Sequence, residues 1–222
     1  MDIPQTFMTF MERGGLIMWP LLILSIVAFA VILERTFFWS KVHGKHGQAV
    51  FLGLLDRLHA GDRPGASTLL RTSSSPYSRL TEMLLRSNGD ESLAVSAAEE
   101  VRPQFERGLI ILSTVVTAAP MLGILGTVVG IIQSFELLGG DASISDPRQV
   151  SGGIAEALIT TATGLVIALI ALFPYMIFRG QQERSLGRME SLIASGMHGL
   201  QESSPSRDPL PEPETSTGSS AP

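Results

Sequence analysis

The sequence predicts an all-α integral membrane protein with three membrane spans, and three observations carry that prediction. Apolar runs at 16–35, 109–135 and 154–178 are each long enough, at ~1.5 Å per residue, to cross a ~30 Å hydrocarbon core. Only 17% of the 222 residues are charged, and the mean hydropathy is +0.28. No segment shows the period-two alternation of a strand, and no βαβ unit is present.

The first run, from Leu16 to Leu33, is interrupted only by Pro20 and Ser25. A cleavable signal peptide competes for it, but basic residues follow the run and no small-x-small cleavage site comes after it, so the span is expected to be retained. Charge then orients the chain. Ten Lys or Arg residues lie between Glu34 and Gly108, against Arg148 alone in the 136–153 loop and Arg13 alone before the first span. The positive-inside rule therefore places residues 1–15 and 136–153 in the periplasm, and 36–108 with everything after 178 in the cytoplasm. Trp19 and Trp39 bracket the first span as expected interface anchors.

The 36–108 segment is expected to be a helical cytoplasmic domain. Val50, Leu54, Leu55 and Leu58 follow helical spacing, and Gly61-Asp62-Arg63-Pro64-Gly65 is a turn into a short helix over 66–70. Asp90 is placed to cap a helix that runs through Glu99, Glu100 and Arg107 into the second span, with Pro103 as a kink or a restart. A helical extension over 179–200 follows the third span. The 201–222 tail, rich in Pro, Ser, Thr and Glu, is expected to be disordered.

Absent residue types narrow the function. Zero cysteines exclude disulfides, cysteine-ligated zinc and thiol catalysis within the chain. The closest approach to a metal motif, His43-x-x-His46, has no carboxylate or cysteine companion and reads as a solvated juxtamembrane turn. No metal, cofactor, nucleic acid or catalytic residue is expected, and the chain is not expected to be an enzyme.

The polar residues inside the spans carry the functional argument. The second span contains Gly123, Gly126, Thr127 and Gly130; Gly126 to Gly130 is a GxxxG pattern that lets helix backbones approach. The third contains Glu156, Thr160, Thr161, Thr163 and Gly164. A carboxylate inside a span is costly against lipid and is by default a functional candidate, although near a helix N-terminus it also complements the helix dipole. Thr127 lies eight residues before Phe135 and Thr161 seven after Ile154, which predicts a shared layer ~10–12 Å below the outer boundary. At ~100° per residue Glu156, Thr160 and Thr163 share a stripe, whereas Thr161 points ~140° away from Glu156. Either one set faces a pore while the other contacts a neighbouring helix, or the conduit passes between helices. Residues 165–173 contain no ionisable group, so a lone Glu156 makes a poor relay and a second chain is expected to supply the carrier.

These residues resemble the MotA/TolQ/ExbB family, above all its ExbB and TolQ branch. The resemblance rests on Pro120-Met-Leu-Gly123-Ile-Leu-Gly126-Thr127-Val-Val-Gly130-Ile and on Gly152-Gly153-Ile-Ala-Glu156-Ala-Leu-Ile-Thr160-Thr161-Ala-Thr163-Gly164-Leu165, with the Glu34-Arg35 pair, and covers roughly residues 10–195. It implies a bacterial inner-membrane pentamer around the single spans of an ExbD- or TolR-like dimer whose aspartate carries the proton, with work delivered through a TonB- or TolA-like protein. It assigns Thr127 and Thr161 to the proton pathway with Glu156 as the associated acid. Thr160 and Thr163 are expected on the pathway or at interhelix contacts, and Gly123, Gly126, Gly130 and Gly164 in helix packing. Ile170 stands where that branch usually has a proline, and Pro174 follows four residues later, which would move a kink about one turn inward. Within the family a TolQ-like or other stator role is the neighbouring reading. Outside it, a membrane scaffold without ion flux or a stand-alone channel is the competitor.

Overall fold

The computed structural model describes residues 15–202 apart from 74, 88–89 and 140–146. The expectations for 1–14, for 140–146 of the 136–153 loop and for the tail beyond 202 lie outside the described residues, while 136–139 and 147–153, expected in the loop, are helical. The described residues form seven helices: α1 (Met18–His43), α2 (Lys45–His59), α3 (Arg63–Thr72), α4 (Pro76–Ser87), α5 (Glu91–Glu106), α6 (Leu109–Gly139) and α7 (Pro147–Glu202). No strand occurs among the described residues.

Helices α1, α6 and α7 are long and apolar enough to cross a membrane. Each turns a broad face of large apolar side chains outward, including Ile23, Phe29, Ile124, Ile132, Leu165 and Phe173. Helices whose outward faces are this apolar need lipid or further helices as their solvent. The chain is a multi-pass membrane protein.

The remaining helices form a head at one end of this bundle. Their boundaries follow from local chemistry. Gly61, with φ +66°, makes the turn after α2, and the Asp62 carboxylate accepts from the Gly65 N–H at 2.9 Å to cap α3. Ser75 Oγ accepts from the Ser78 N–H at 3.1 Å at the start of α4. Core positions recur at helical spacing: Val50, Leu54 and Leu58 on α2, Tyr77, Leu80 and Leu84 on α4, and Ala94, Ala97, Val101 and Phe105 on α5. Leu55 is only partly buried at the edge of that core.

Asp90 caps α5 as its position suggested. Its carboxylate accepts from the Ser92 hydroxyl at 2.6 Å, the Ser92 N–H at 2.8 Å and the Leu93 N–H at 3.2 Å. The Ser92 hydroxyl, then the Leu93 amide, hold this carboxyl below the ordinary aspartate range. A depressed carboxylate contributes stability above its unfolded value and loses it as pH falls through the folded one. Asp90→Ala should therefore lower the melting temperature at pH 7, and the gap to wild type should close in acid. Melting curves of the two proteins across pH 2–7 check this.

Three features differ from the sequence expectation. Helix α1 does not end with the first span but continues to His43, and its last two turns pack into the head. Trp39 is consequently 2% exposed, packed near Phe38, His43 and Phe105, and is not an interface anchor. Second, α5 does not run into α6. Its last turn closes with the Arg107 N–H on the Pro103 carbonyl, and Gly108, at φ +79°, redirects the chain into α6. Third, α7 is one continuous helix through Pro174, long enough that its final turns pack back on the head at Met189, Leu192 and Leu200.

The redirection at Gly108 is held by an arginine. Arg35 on α1 is 1% exposed; its guanidinium donates to the Gln104 carbonyl at 3.0 Å, forms a two-point pair with Glu34 at 2.7 and 3.1 Å, and lies 4.7 Å from the Phe38 ring centroid. A methyl on Gly108 would stand 3.3 Å from Arg35 Nε and 2.9 Å from Val31 Cγ1, so the glycine leaves room for that arginine. Arg35, paired with Glu34, thus ties the end of the first span to the last turns of α5, just ahead of the second span.

Candidate functional site

Helices α6 and α7 run antiparallel and meet along small residues. A methyl on Gly126 would overlap Thr160 Cγ2, and one on Gly164 would overlap the Ala119 carbonyl oxygen. On Gly130 it would stand 2.7 Å from Ala157 Cβ, and on Gly123 3.0 Å from Thr161 Cα. All four glycines named from the sequence therefore lie in one seam. Apolar side chains gain little by leaving lipid for each other, so this close backbone approach is what favours pairing. The α7 half of the seam is Ala157, Thr160, Gly164, Ala168 and Ala171, all buried.

The threonines divide by partner. Thr161 Oγ1 donates across the seam to the Gly123 carbonyl at 2.7 Å. Thr160, 1% exposed, presses its methyl on Gly126 and donates to its own helix at Glu156 O, 3.1 Å away. Thr163 donates to Ile159 O at 2.8 Å and Thr127 to Ile124 O at 2.6 Å. Thr160 and Thr161 thus straddle the seam although their side chains diverge on a helical wheel. A hydroxyl whose proton is committed to a carbonyl keeps its lone pairs for an incoming donor. Thr127 and Thr161 can accept from water, from hydronium or from a protonated carboxyl group.

The seam places Thr127 and Thr161 within about one helical turn of the same level, though not directly opposite each other. Thr161 faces Gly123, one turn or ~6 Å along α6 from Thr127, whose own level on α7 is that of Ala157 and Thr160. The two hydroxyls form successive steps along the seam.

Glu156 is half-buried, against the turn that opens α1. Gly15, at φ +63°, lies so close that a methyl there would stand 2.5 Å from Glu156 Oε1. This contact joins the start of the first span to the acidic residue of the third. Ser134 was not singled out by the sequence. It is 2% exposed, donates to Gly130 O at 2.8 Å and packs on Gly153 at the same end of the seam.

Three apolar helices, a glycine seam bordered by hydroxyls and one carboxylate define a membrane protein with a polar track between two of its spans. Comparison with known proteins identifies the class. The family model of the MotA/TolQ/ExbB proton channel family matches residues 78–191, just over half of the chain. The ExbB-like 3 biopolymer transport protein of Synechocystis is 33% identical over 173 residues, covering 75% of this chain and 81% of the relative. Biopolymer transport protein ExbB1 of Vibrio cholerae is 28% identical over 195 residues, 82% and 83% of the two chains. The Tol-Pal system protein TolQ of Pseudomonas aeruginosa is 40% identical over 98 residues, 43% and 40% of the two. The chain belongs to the MotA/TolQ/ExbB proton channel family.

Proposed function

We propose that this chain is an ExbB-like subunit of a proton-motive-force-driven motor in the bacterial inner membrane, conducting protons together with an ExbD-like partner and energising TonB-dependent outer-membrane transport. The observation that carries the reading is the seam itself. It offers hydroxyl acceptors at Thr127 and Thr161 and a carboxylate at Glu156, while 165–173 contains no ionisable residue. Such a wall supports a carrier but does not replace one. The partner, a dimer of single-span ExbD- or TolR-like chains, supplies an intramembrane aspartate that moves past it. Exposed apolar residues on all three spans suit a pentamer of this chain embedded in lipid, with the N-terminus periplasmic, the head and C-terminus cytoplasmic, and a TonB- or TolA-like protein receiving the work. The chain performs no catalysis and holds no cofactor in this reading.

The local identity to TolQ favours a second reading, a subunit serving envelope maintenance through the same ion chemistry. Vesicles carrying the purified chain with and without the partner test the common core of both. Acidification of the lumen under an imposed potential should require both chains and should persist when Na⁺ is replaced by choline. Flux from this chain alone would indicate a stand-alone channel; no flux with either composition would indicate a scaffold.

A further inference from the structure

The turn that opens α1 lies against Glu156 in a way that only glycine allows. Gly15 has φ +63°, in the left-handed region that side chains rarely adopt. A methyl on it would stand 2.5 Å from Glu156 Oε1 and 3.6 Å from Glu156 Cδ. Among the described residues no other atom beyond the chain neighbours comes within 4 Å of that methyl, so the carboxylate alone fills the space. Position 15 therefore excludes a side chain twice, once through its backbone and once through its neighbour.

Glu156 takes little from its own helix. Helix α7 begins more than two turns earlier, at Pro147, and a helix end favours a negative group only within about its first turn. The carboxylate also makes no hydrogen bond or ion pair among the described residues. A half-buried group without such ties is placed by what packs on it, and on the α1 side that is the Gly15 turn. The turn is the N-terminal end of a 26-residue helix, whose Met18 N–H donates to Gly15 O at 3.1 Å. Ile17, at the N-cap, offers no side chain to the amides there. The start of α1 thus supplies the complement to a negative charge that the start of α7 is too distant to give.

We propose that Gly15 is a positioning residue of the proton pathway. Its missing side chain lets the opening turn of α1 rest on the Glu156 carboxylate and fix where that carboxylate stands. The first span then forms one wall of the acid site, in addition to anchoring the chain in lipid. This rests on reading Glu156 as the acid of the proton pathway.

Partner-dependent proton uptake by vesicles tests it, with melting temperature and yield of assembled complex verifying each variant. Gly15→Asn is the informative change, because asparagine tolerates the left-handed region and keeps the turn while its Cβ still meets Glu156. Uptake should fall by about tenfold, short of the ~10²-fold that a 1 Å misplacement at a reacting centre can cost. Glu156→Asp is one methylene shorter and draws the carboxylate away from position 15. Added to Gly15→Asn, it should bring uptake to within about threefold of Glu156→Asp alone, a non-additivity that a strained turn would not produce. Wild-type uptake in assembled Gly15→Asn, or a loss that Glu156→Asp leaves unrelieved, would overturn the proposal. Glu156→Gln keeps the two readings apart. Full uptake in that variant would remove Glu156 from the pathway and the proposal with it, whereas lost uptake there with Gly15→Asn unaffected would refute the role of Gly15 alone. If Gly15→Asn does not assemble, a nitroxide on Leu16→Cys, the one thiol in an otherwise cysteine-free and here exposed position, decides in detergent. Glu156→Ala should raise the mobility of that label, and unchanged mobility would overturn the proposal.

Discussion

Gly164→Val should separate α6 from α7 and abolish assembly of a functional complex. A side chain at 164 meets the Ala119 carbonyl oxygen and, at 3.2 Å, the Gly123 Cα, and neither is the flexible end of a side chain. Backbone cannot rotate aside, so the helices must part along their whole seam, a cost at the top of the ~1–3 kcal/mol range for overpacking or beyond it. The same displacement would break the Thr161 to Gly123 hydrogen bond. Two glycines on the same helix provide the control. A methyl on Gly180 or Gly187 meets nothing within 4 Å, so alanine at either should be neutral or stabilise the helix by roughly 0.5–1 kcal/mol. Melting temperature and the yield of assembled complex, measured on the three variants, distinguish a seam requirement from a general sensitivity of α7 glycines.

Arg35→Ala should be the most damaging substitution outside the seam. It removes a charge-assisted hydrogen bond to Gln104 O, worth roughly 1.5–3 kcal/mol, together with the packing of the alkyl stem and the contact with Phe38. A total loss of about 3 kcal/mol is expected, and Glu34, half-exposed, is left able to solvate. Arg35→Lys should recover part of that loss, because an ammonium keeps the charge but cannot reach both Glu34 and Gln104 with a planar fork. Urea or thermal unfolding in detergent should rank the three proteins wild type, Lys, Ala. An alanine variant as stable as wild type would mean that Gly108 alone holds the junction of α5 and α6.

The sequence revealed the architecture because a membrane imposes a strong pattern. Three runs of apolar residues need no tertiary knowledge to be seen, and Asp62 and Asp90 mark helix starts through purely local hydrogen bonds. What stayed hidden depends on partners distant in sequence. Arg35 reads as one more positive charge beyond a span; that it is buried follows from the Gln104 carbonyl, 69 residues away. Trp39 has the composition of an interface anchor, and only the continuation of α1 into the head makes it core. The seam was half readable. Gly126 and Gly130 announce themselves as GxxxG, whereas the α7 stripe of Ala157, Thr160, Gly164, Ala168 and Ala171 carries the same small-residue spacing without the motif. The depth of Thr127 against Thr161 required the register between two helices, which neither helix encodes alone.

The hydroxyls along that seam are the centre of the functional account. Thr127→Val and Thr161→Val together keep shape and volume close to native while removing both acceptors, so the double variant should fold and assemble with its partner. Proton uptake into vesicles containing variant and partner should then fall by at least about tenfold, less than the ~10²–10⁴-fold typical of a full general acid or base because these hydroxyls only accept and position the proton. Undiminished partner-dependent flux in the assembled double variant would contradict the assignment of the seam as the wall of the conduit.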